Sequence, residues 1–202
     1  MTTSNGAANP AAGGVAVEST AIDGLLSVTI PVHGDERGWF KENWQTEKMR
    51  AAGMPELDFV QQNVAFNKSA GVTRGIHAEP WHKYVSVACG KVFAAIVDLR
   101  EGEAFGTVSC HELTPDRALL IPAGCGNSYQ VLEPATAYIY LTTGLWSPQL
   151  TYPAVSPLDA ELAISWPLSG EQAVLSAKDT AAPPLAEFTP LTADFGKRAV
   201  HS

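Results

Sequence analysis

Hydrophobic and polar positions alternate along most of this chain in short, punctuated runs. L-L-S-V-T-I-P-V (25–32) reads as a strand, H-G-D-E-R-G (33–38) as a turn, and F-V-Q-Q-N-V-A-F (59–66) as a second strand. From residue 84 onward the rhythm is strand, turn, strand. Y-V-S-V-A-C and V-F-A-A-I-V-D-L flank a G-K turn, R-E-G-E-A-F-G is a loop, and T-V-S-C-H-E-L alternates again. A-L-L-I-P, a Gly-rich turn A-G-C-G-N (123–127), S-Y-Q-V-L and T-A-Y-I-Y-L-T-T complete the series. Short strands at intervals of about 8–12 residues predict an all-β sandwich or barrel. Residues 46–53, T-E-K-M-R-A-A-G, spell a short helix, with Thr46 as its cap and Gly53 as its stop. The Pro- and Ala-rich last quarter carries weak helix signals at 157–164 and 190–197 and reads as a wrapping segment. Residues 1–15 lack any apolar period and read as a disordered tail, which leaves 16–202 as a single domain.

Composition narrows the partners. The chain is 46% hydrophobic and 17% charged, enough to bury a full core, and its formal net charge of -8 argues against a nucleic-acid partner. No apolar run approaches the roughly 18 residues of a membrane span, and the N-terminus lacks the basic and apolar regions of a signal peptide. Cys89, Cys110 and Cys125 show no paired spacing, which fits a reducing compartment; the expectation is a cytoplasmic protein with no membrane partner.

One stretch breaks the apolar rhythm. G-V-T-R-G-I-H-A-E-P-W-H-K (71–83) sets Arg74, His77, Glu79, His82 and Lys83 between strand-like runs. Ionisable groups in such surroundings are costly to bury unless they pair or bind something, so the stretch reads as the floor of a site. A metal site would need several ligands converging. His77 and His82 are separated by an odd offset, which on a regular strand sends them to opposite faces, and the later Gly-rich turn offers Asn127 where another histidine would be wanted. Neither a nucleophile elbow nor a phosphate-binding glycine loop is present. Metal-free acid/base chemistry remains, with His77 as the group that titrates near neutral pH and Arg74 and Lys83 beside it to stabilise negative charge.

In this light the order of motifs becomes informative. D-E-R-G-W-F-K-E (35–42), Q-Q-N (61–63), G-V-T-R-G-I-H (71–77), K-Y-V-S-V-A-C-G-K-V-F-A-A-I-V-D-L-R (83–100), I-P-A-G (121–124), the Y-I-Y-L…W-S-P run (138–148) and W-P-L…L-S-A-K-D (166–179) occur in one consistent series. In this the chain resembles the dTDP-4-dehydrorhamnose 3,5-epimerase family. The resemblance implies a cupin-like jelly-roll β-barrel with a few short peripheral helices, a homodimer, no metal and no cofactor. It implies a dTDP-4-keto-6-deoxy sugar nucleotide as substrate, with inversion at C3, C5 or both.

By resemblance, His77 is the base, Asp179 its carboxylate partner, Tyr140 the acid on the other face of the sugar, and Lys83 the cation facing the enolate oxygen. Arg74 falls on a diphosphate or sugar contact, and Arg37, Phe40 and Glu42 on a nucleotide-gripping arm that reaches across the dimer. Gln61 and Asn63 fall on a further substrate-contacting segment. The chain departs from the family pattern in three places: Asn127 occupies the place of a second active-site histidine, the linker between His77 and Lys83 is shorter than usual with Pro80 and Trp81 inside it, and Trp146 stands where a tyrosine is common. Asn127 and Trp146 are taken as substrate-contacting positions, and the departures together leave the inverted centre open. Two other readings use the same scaffold, a catalytically silent sugar-nucleotide binding module and a 3,4-ketoisomerase; Tyr140 and Asp179 speak against the second.

Overall fold

The computed structural model describes residues 14–149 and 151–196. Twelve strands dominate: β1 (Ala16–Ser19), β2 (Leu26–Thr29), β3 (Val32–Asp35), β4 (Gly38–Lys41), β5 (Gln61–Asn67), β6 (Thr73–Ala78), β7 (Lys83–Cys89), β8 (Val92–Asp98), β9 (Val108–Leu113), β10 (Arg117–Ile121), β11 (Cys125–Val131) and β12 (Thr136–Thr142). Two α-helices, α1 (Thr46–Ala51) and α2 (Ala177–Thr180), and short 3-10 turns at Gly170–Gln172 and Leu185–Glu187 lie at the periphery.

The strands form a six-stranded sheet ordered β1-β2-β10-β7-β12-β5, a four-stranded sheet ordered β6-β11-β8-β9, and the separate hairpin β3-β4, with antiparallel pairing throughout. The two larger sheets face each other as the layers of a cupin-like jelly roll.

The period of two along each strand decides what goes where. Val85 and Val87 of β7, Leu119 and Ile121 of β10 and Tyr138 of β12 meet Ala94 and Ile96 of β8 and Tyr129 and Val131 of β11 in the central core. The alternate residues point outward and are covered in turn. Tyr84, Ala118 and Leu120 pack beneath Met49 of α1 and Met54, with Trp44 and Phe59 in edge-on contact 4.7 Å apart. On the other sheet, Ile76, Ala78, Val97 and Leu99 are covered by Val155, Leu162 and Leu185 from the C-terminal segment. Each Val, Leu, Ile or Met side chain among these, fully buried, contributes about 1.5–3 kcal/mol.

Several local expectations are corrected. The hairpin turn is tighter than H-G-D-E-R-G suggested, because Asp35 accepts from the Arg37 N–H at 2.9 Å and lets His33–Asp35 pair as strand. Gln45, not Thr46, caps α1, its side chain accepting from Lys48 N at 2.6 Å. The Gly-rich turn ends early, and Cys125, Gly126 and Asn127 already belong to β11. Gly126 sits where a Cβ would meet Ile76 Cγ2 at 2.3 Å, so this glycine serves close strand packing and not a turn.

The helix signal at 157–164 is realised as turns, and of 190–197 the described part, 190–196, forms turns and a bridge at Leu191. Among the described residues the one α-helix of the C-terminal segment is α2, which Ser176 caps by accepting from Asp179 N at 3.1 Å. Residues 1–13, where most of the expected tail falls, lie outside the described residues.

Candidate active site

A cleft of about 550 Å³ opens between the sheets. Its walls come from the inward positions of β6, β7, β11 and β12, with α2 and Trp146 at the margin. Lys83 shares its face of β7 with Val85 and Val87, and Tyr140 shares its face of β12 with Tyr138, so strand periodicity places both inside.

Strand β6 needs a different explanation, because Arg74 and His77 are an odd offset apart and yet both line the cleft. The pairing register shifts here: Asn127 lies opposite His77 and Tyr129 opposite Arg74, so β6 carries one residue more than β11 over this step. That bulge reverses the face of the strand and turns both side chains inward. Gly75 makes it possible, with φ of +113° and a backbone so close to β11 that a Cβ would meet Asn127 O at 2.5 Å and Ser128 Cα at 2.7 Å.

His77 Nε2 lies 2.7 Å from Asp179 Oδ1, and the carboxylate is only 5% exposed against 30% for the imidazole. A buried carboxylate is an acceptor, so Nε2 carries the proton and donates, which leaves Nδ1 as the basic atom. Ser176 fixes Asp179 from behind through the cap of α2.

Lys83, also buried, forms an ion pair with Glu79, and its Nζ lies 5.8 Å from the centroid of the Tyr140 ring. Burial, and then the Glu79 carboxylate, push the Tyr140 phenol above its ordinary range, while Arg74 pulls it back. Tyr140 is therefore a protonated phenol at neutral pH. Arg74 is aimed by Asn67, whose Oδ1 accepts from Arg74 Nε at 3.1 Å.

Behind these groups Tyr129 and Tyr138 stack, with ring centroids 4.0 Å apart and an interplanar angle of 19°. Burial raises both phenols, Tyr129 to about 12. The Tyr138 hydroxyl donates to Asn127 Oδ1 at 3.3 Å. Among the described residues no group of three or more His, Cys, Asp or Glu side chains could hold a metal ion.

Of the residues singled out in the sequence, His77, Asp179, Lys83, Tyr140, Arg74, Asn127 and Trp146 come together around this cleft. The arm residues do not. Arg37 and Phe40 sit on the exposed β3-β4 hairpin, Arg37 paired with Asp35, and Glu42 just after β4 pairs with Lys48. Gln61 and Asn63 are on β5, one strand beyond Tyr140. They bond each other at 2.7 Å, and Gln61 Oε1 accepts from the Trp146 N–H at 2.9 Å.

His82 is also outside the cleft lining. Its backbone N–H donates to Thr143 Oγ1 at 3.0 Å, and burial together with Arg100 lowers the imidazole below its ordinary range. Glu79, Tyr138, Tyr152, Ser176 and Lys178 line the cleft without having been marked as site residues. For Glu79 the signal was there, an acid four positions before Lys83 in the polar stretch.

Comparison with known proteins agrees with this geometry. Residues 19–187 match the family model described as dTDP-4-dehydrorhamnose 3,5-epimerase. A Streptococcus pyogenes protein described as an RmlC homolog is 47% identical over 156 residues, spanning 74% of this chain and 79% of the relative. The structure of Streptococcus suis RmlC in complex with dTDP-D-xylose superposes with a TM-score of 0.85 at 42% identity, covering 90% of this chain and 97% of that one. A Streptomyces niveus dTDP-4-dehydrorhamnose 3-epimerase is 34% identical, with 82% of each chain covered.

Proposed function

The chain belongs to the dTDP-4-dehydrorhamnose 3,5-epimerase family, and on that premise we propose that it is an isomerase that inverts C3, C5 or both of a dTDP-4-keto-6-deoxyhexose in deoxysugar biosynthesis, without a cofactor. The observation that carries the reading is the 2.7 Å pair of His77 with a buried Asp179, set in a cleft that also holds Lys83 and a protonated Tyr140.

A carbon-bound proton next to a ketone can be removed by an imidazole only if the enolate is stabilised as it forms. His77 Nδ1 takes the proton, and the Asp179 carboxylate stabilises the imidazolium. The Lys83 ammonium faces the C4 oxygen as charge develops there. Tyr140 returns a proton from the opposite face of the ring, which inverts the centre. Arg74 grips the anionic part of the substrate, its planar fork suited to phosphate oxygens, and Asn127 and Trp146 contact the sugar and the cleft margin.

The active form is a homodimer in which the β3-β4 hairpin brings Arg37, Phe40 and Glu42 to the partner's nucleotide, while Gln61 and Asn63 contact substrate from β5. The hairpin's form supports this: Phe40 is 64% exposed and Trp39 46%, apolar surface that a partner subunit would cover. The three free cysteines support a cytoplasmic location, and 16–202 acts as a single domain.

The test is proton NMR of dTDP-4-keto-6-deoxyglucose incubated with the protein in heavy water. Exchange at C3, C5 or both establishes proton abstraction and names the centre. Binding without exchange at either carbon supports the silent binding module instead. Sedimentation of wild type and Phe40→Asp tests the dimer; a wild-type monomer sinks that part.

A further inference from the structure

The amide of Asn127 lies beside the base. It is the cross-strand partner of His77 and lines the same cleft. Its orientation is set from behind, by a tyrosine that is entirely buried and whose phenol stays protonated, since burial raises it well above its ordinary range. Tyr138 OH has one hydrogen-bond partner among the described residues, Asn127 Oδ1 at 3.3 Å, and its ring is locked against Tyr129.

A buried hydroxyl must place its hydrogen somewhere, and an unmade bond would cost the desolvation of the group. The proton therefore goes to the amide oxygen. With Oδ1 taken by Tyr138, the two hydrogens of Nδ2 are left to donate elsewhere, on a side chain that lines the cleft.

We propose, resting on the epimerase reading, that Asn127 is a second donor to the enolate oxygen alongside Lys83, and that Tyr138 is the positioning residue that keeps its amide from flipping. A neutral amide held in this way differs from a cationic donor. It cannot lose its proton as pH rises, and it adds no positive charge next to the imidazolium that forms on His77. It stabilises negative charge where it develops, so its contribution falls on turnover and not on ground-state binding.

The experiment is a double-mutant cycle read as initial rates of solvent-deuterium incorporation into dTDP-4-keto-6-deoxyglucose, with thermal melting of every variant. Asn127→Asp keeps the shape and the bond from Tyr138 but turns an oxygen toward the substrate; kcat falls by about 100-fold or more while KM stays within about threefold. Tyr138→Phe keeps the stacked ring and lowers kcat about tenfold in the wild-type background. In an Asn127→Ala background the same change costs less than twofold, because Tyr138 acts only through the amide.

A wild-type kcat for Asn127→Asp overturns the proposal. So does an equal cost of Tyr138→Phe in both backgrounds, which would make the tyrosine a packing residue. If wild type itself incorporates no deuterium, the epimerase reading falls and takes this inference with it; wild-type exchange with additive losses sinks this inference alone.

Discussion

Replacing Asp179 with asparagine changes one charge and almost no volume, so it isolates what the carboxylate does for His77. The bond between them is 2.7 Å long and the carboxylate is 5% exposed, so solvent screens the pair very little. A hydrogen bond to a charged group contributes about 1.5–3 kcal/mol. The base accepts a proton as the reaction proceeds, and the full strength of the pair is felt only as the imidazolium forms. Its loss therefore raises the barrier and leaves substrate binding nearly unchanged. At about 1.4 kcal/mol per factor of ten, kcat for Asp179→Asn falls by roughly 10- to 150-fold, with KM within about threefold.

A second effect deepens the loss. If the new amide turns its N–H toward Nε2, the ring proton is driven to Nδ1, the atom that must accept the substrate proton, and the loss moves toward about 10⁴-fold. The assay is the initial rate of deuterium incorporation as a function of substrate concentration, with a melting curve alongside. The Ser176 cap binds the backbone N–H of residue 179 and survives the change, so the melting temperature stays close to wild type. An exchange rate within threefold of wild type, in a variant that melts normally, would refute the dyad; so would a raised KM with kcat untouched.

Other perturbations separate chemistry from scaffold. Tyr140→Phe abolishes inversion while proton exchange at the His77 face survives, and because the phenol is held above its ordinary range, wild-type inversion shows no loss from Tyr140 ionisation below about pH 10; equal loss of exchange and inversion would make the residue structural. Lys83→Met lowers kcat more than it raises KM, and it costs about 3–5 kcal/mol in urea unfolding because Glu79 is left buried and unpaired. Adding Glu79→Gln restores the stability but not the turnover. Gly75→Ala strains a φ of +113° by about 1–3 kcal/mol and drives a Cβ into Asn127 O, so both activity and melting temperature fall, whereas Gly53→Ala, with positive φ but open space, lowers only the melting temperature. Lys41 donates to Val87 O and Pro115 O, and burial lowers its amine from 10.5 to about 8. Between those values the unfolded chain binds the proton that the folded one has released, so this residue makes stability rise with pH across that window. Unfolding free energies of wild type minus Lys41→Met accordingly increase from pH 8 to pH 10; a flat difference contradicts the assignment.

The strands were legible because their signal is local. Alternation in Y-V-S-V-A-C and T-A-Y-I-Y-L-T-T survives as the inward and outward faces of β7 and β12, and the same period carries Lys83 and Tyr140, picked out on other grounds, to the inward side. The C-terminal segment was harder to read. Its structure is set by what it covers, Ile76, Ala78, Val97 and Leu99, and so weak helix propensity at 157–164 gave way to turns that lay Leu162 on that face. Likewise Gly126 looks like a turn residue from its neighbours in sequence, and only the approach of Ile76 from another strand explains it as part of β11.

The site shows the same division more sharply. Periodicity alone would have put Arg74 and His77 on opposite faces, since nothing in T-R-G-I-H announces that β6 carries an extra residue against β11. The bulge is a property of two strands together, and Gly75 is its only trace in one of them. Asp179 is further from legibility still. It reaches His77 from 102 residues away on a four-residue helix, and no local pattern marks a buried acid there; only the resemblance named it. Glu79 is the opposite case, visible beside Lys83 in the polar stretch but without a role until both were found buried together. A carboxylate next to the cation meant for an enolate looks at first like a defect, since it weakens the field on the substrate. Its second effect favours the chemistry: after burial, it is the next cause that raises the Tyr140 phenol, moving the acid further from ionisation. Tyr140 is kept a proton donor first by its own burial and then by Glu79, a residue the chain sets far from it in sequence and the fold sets close.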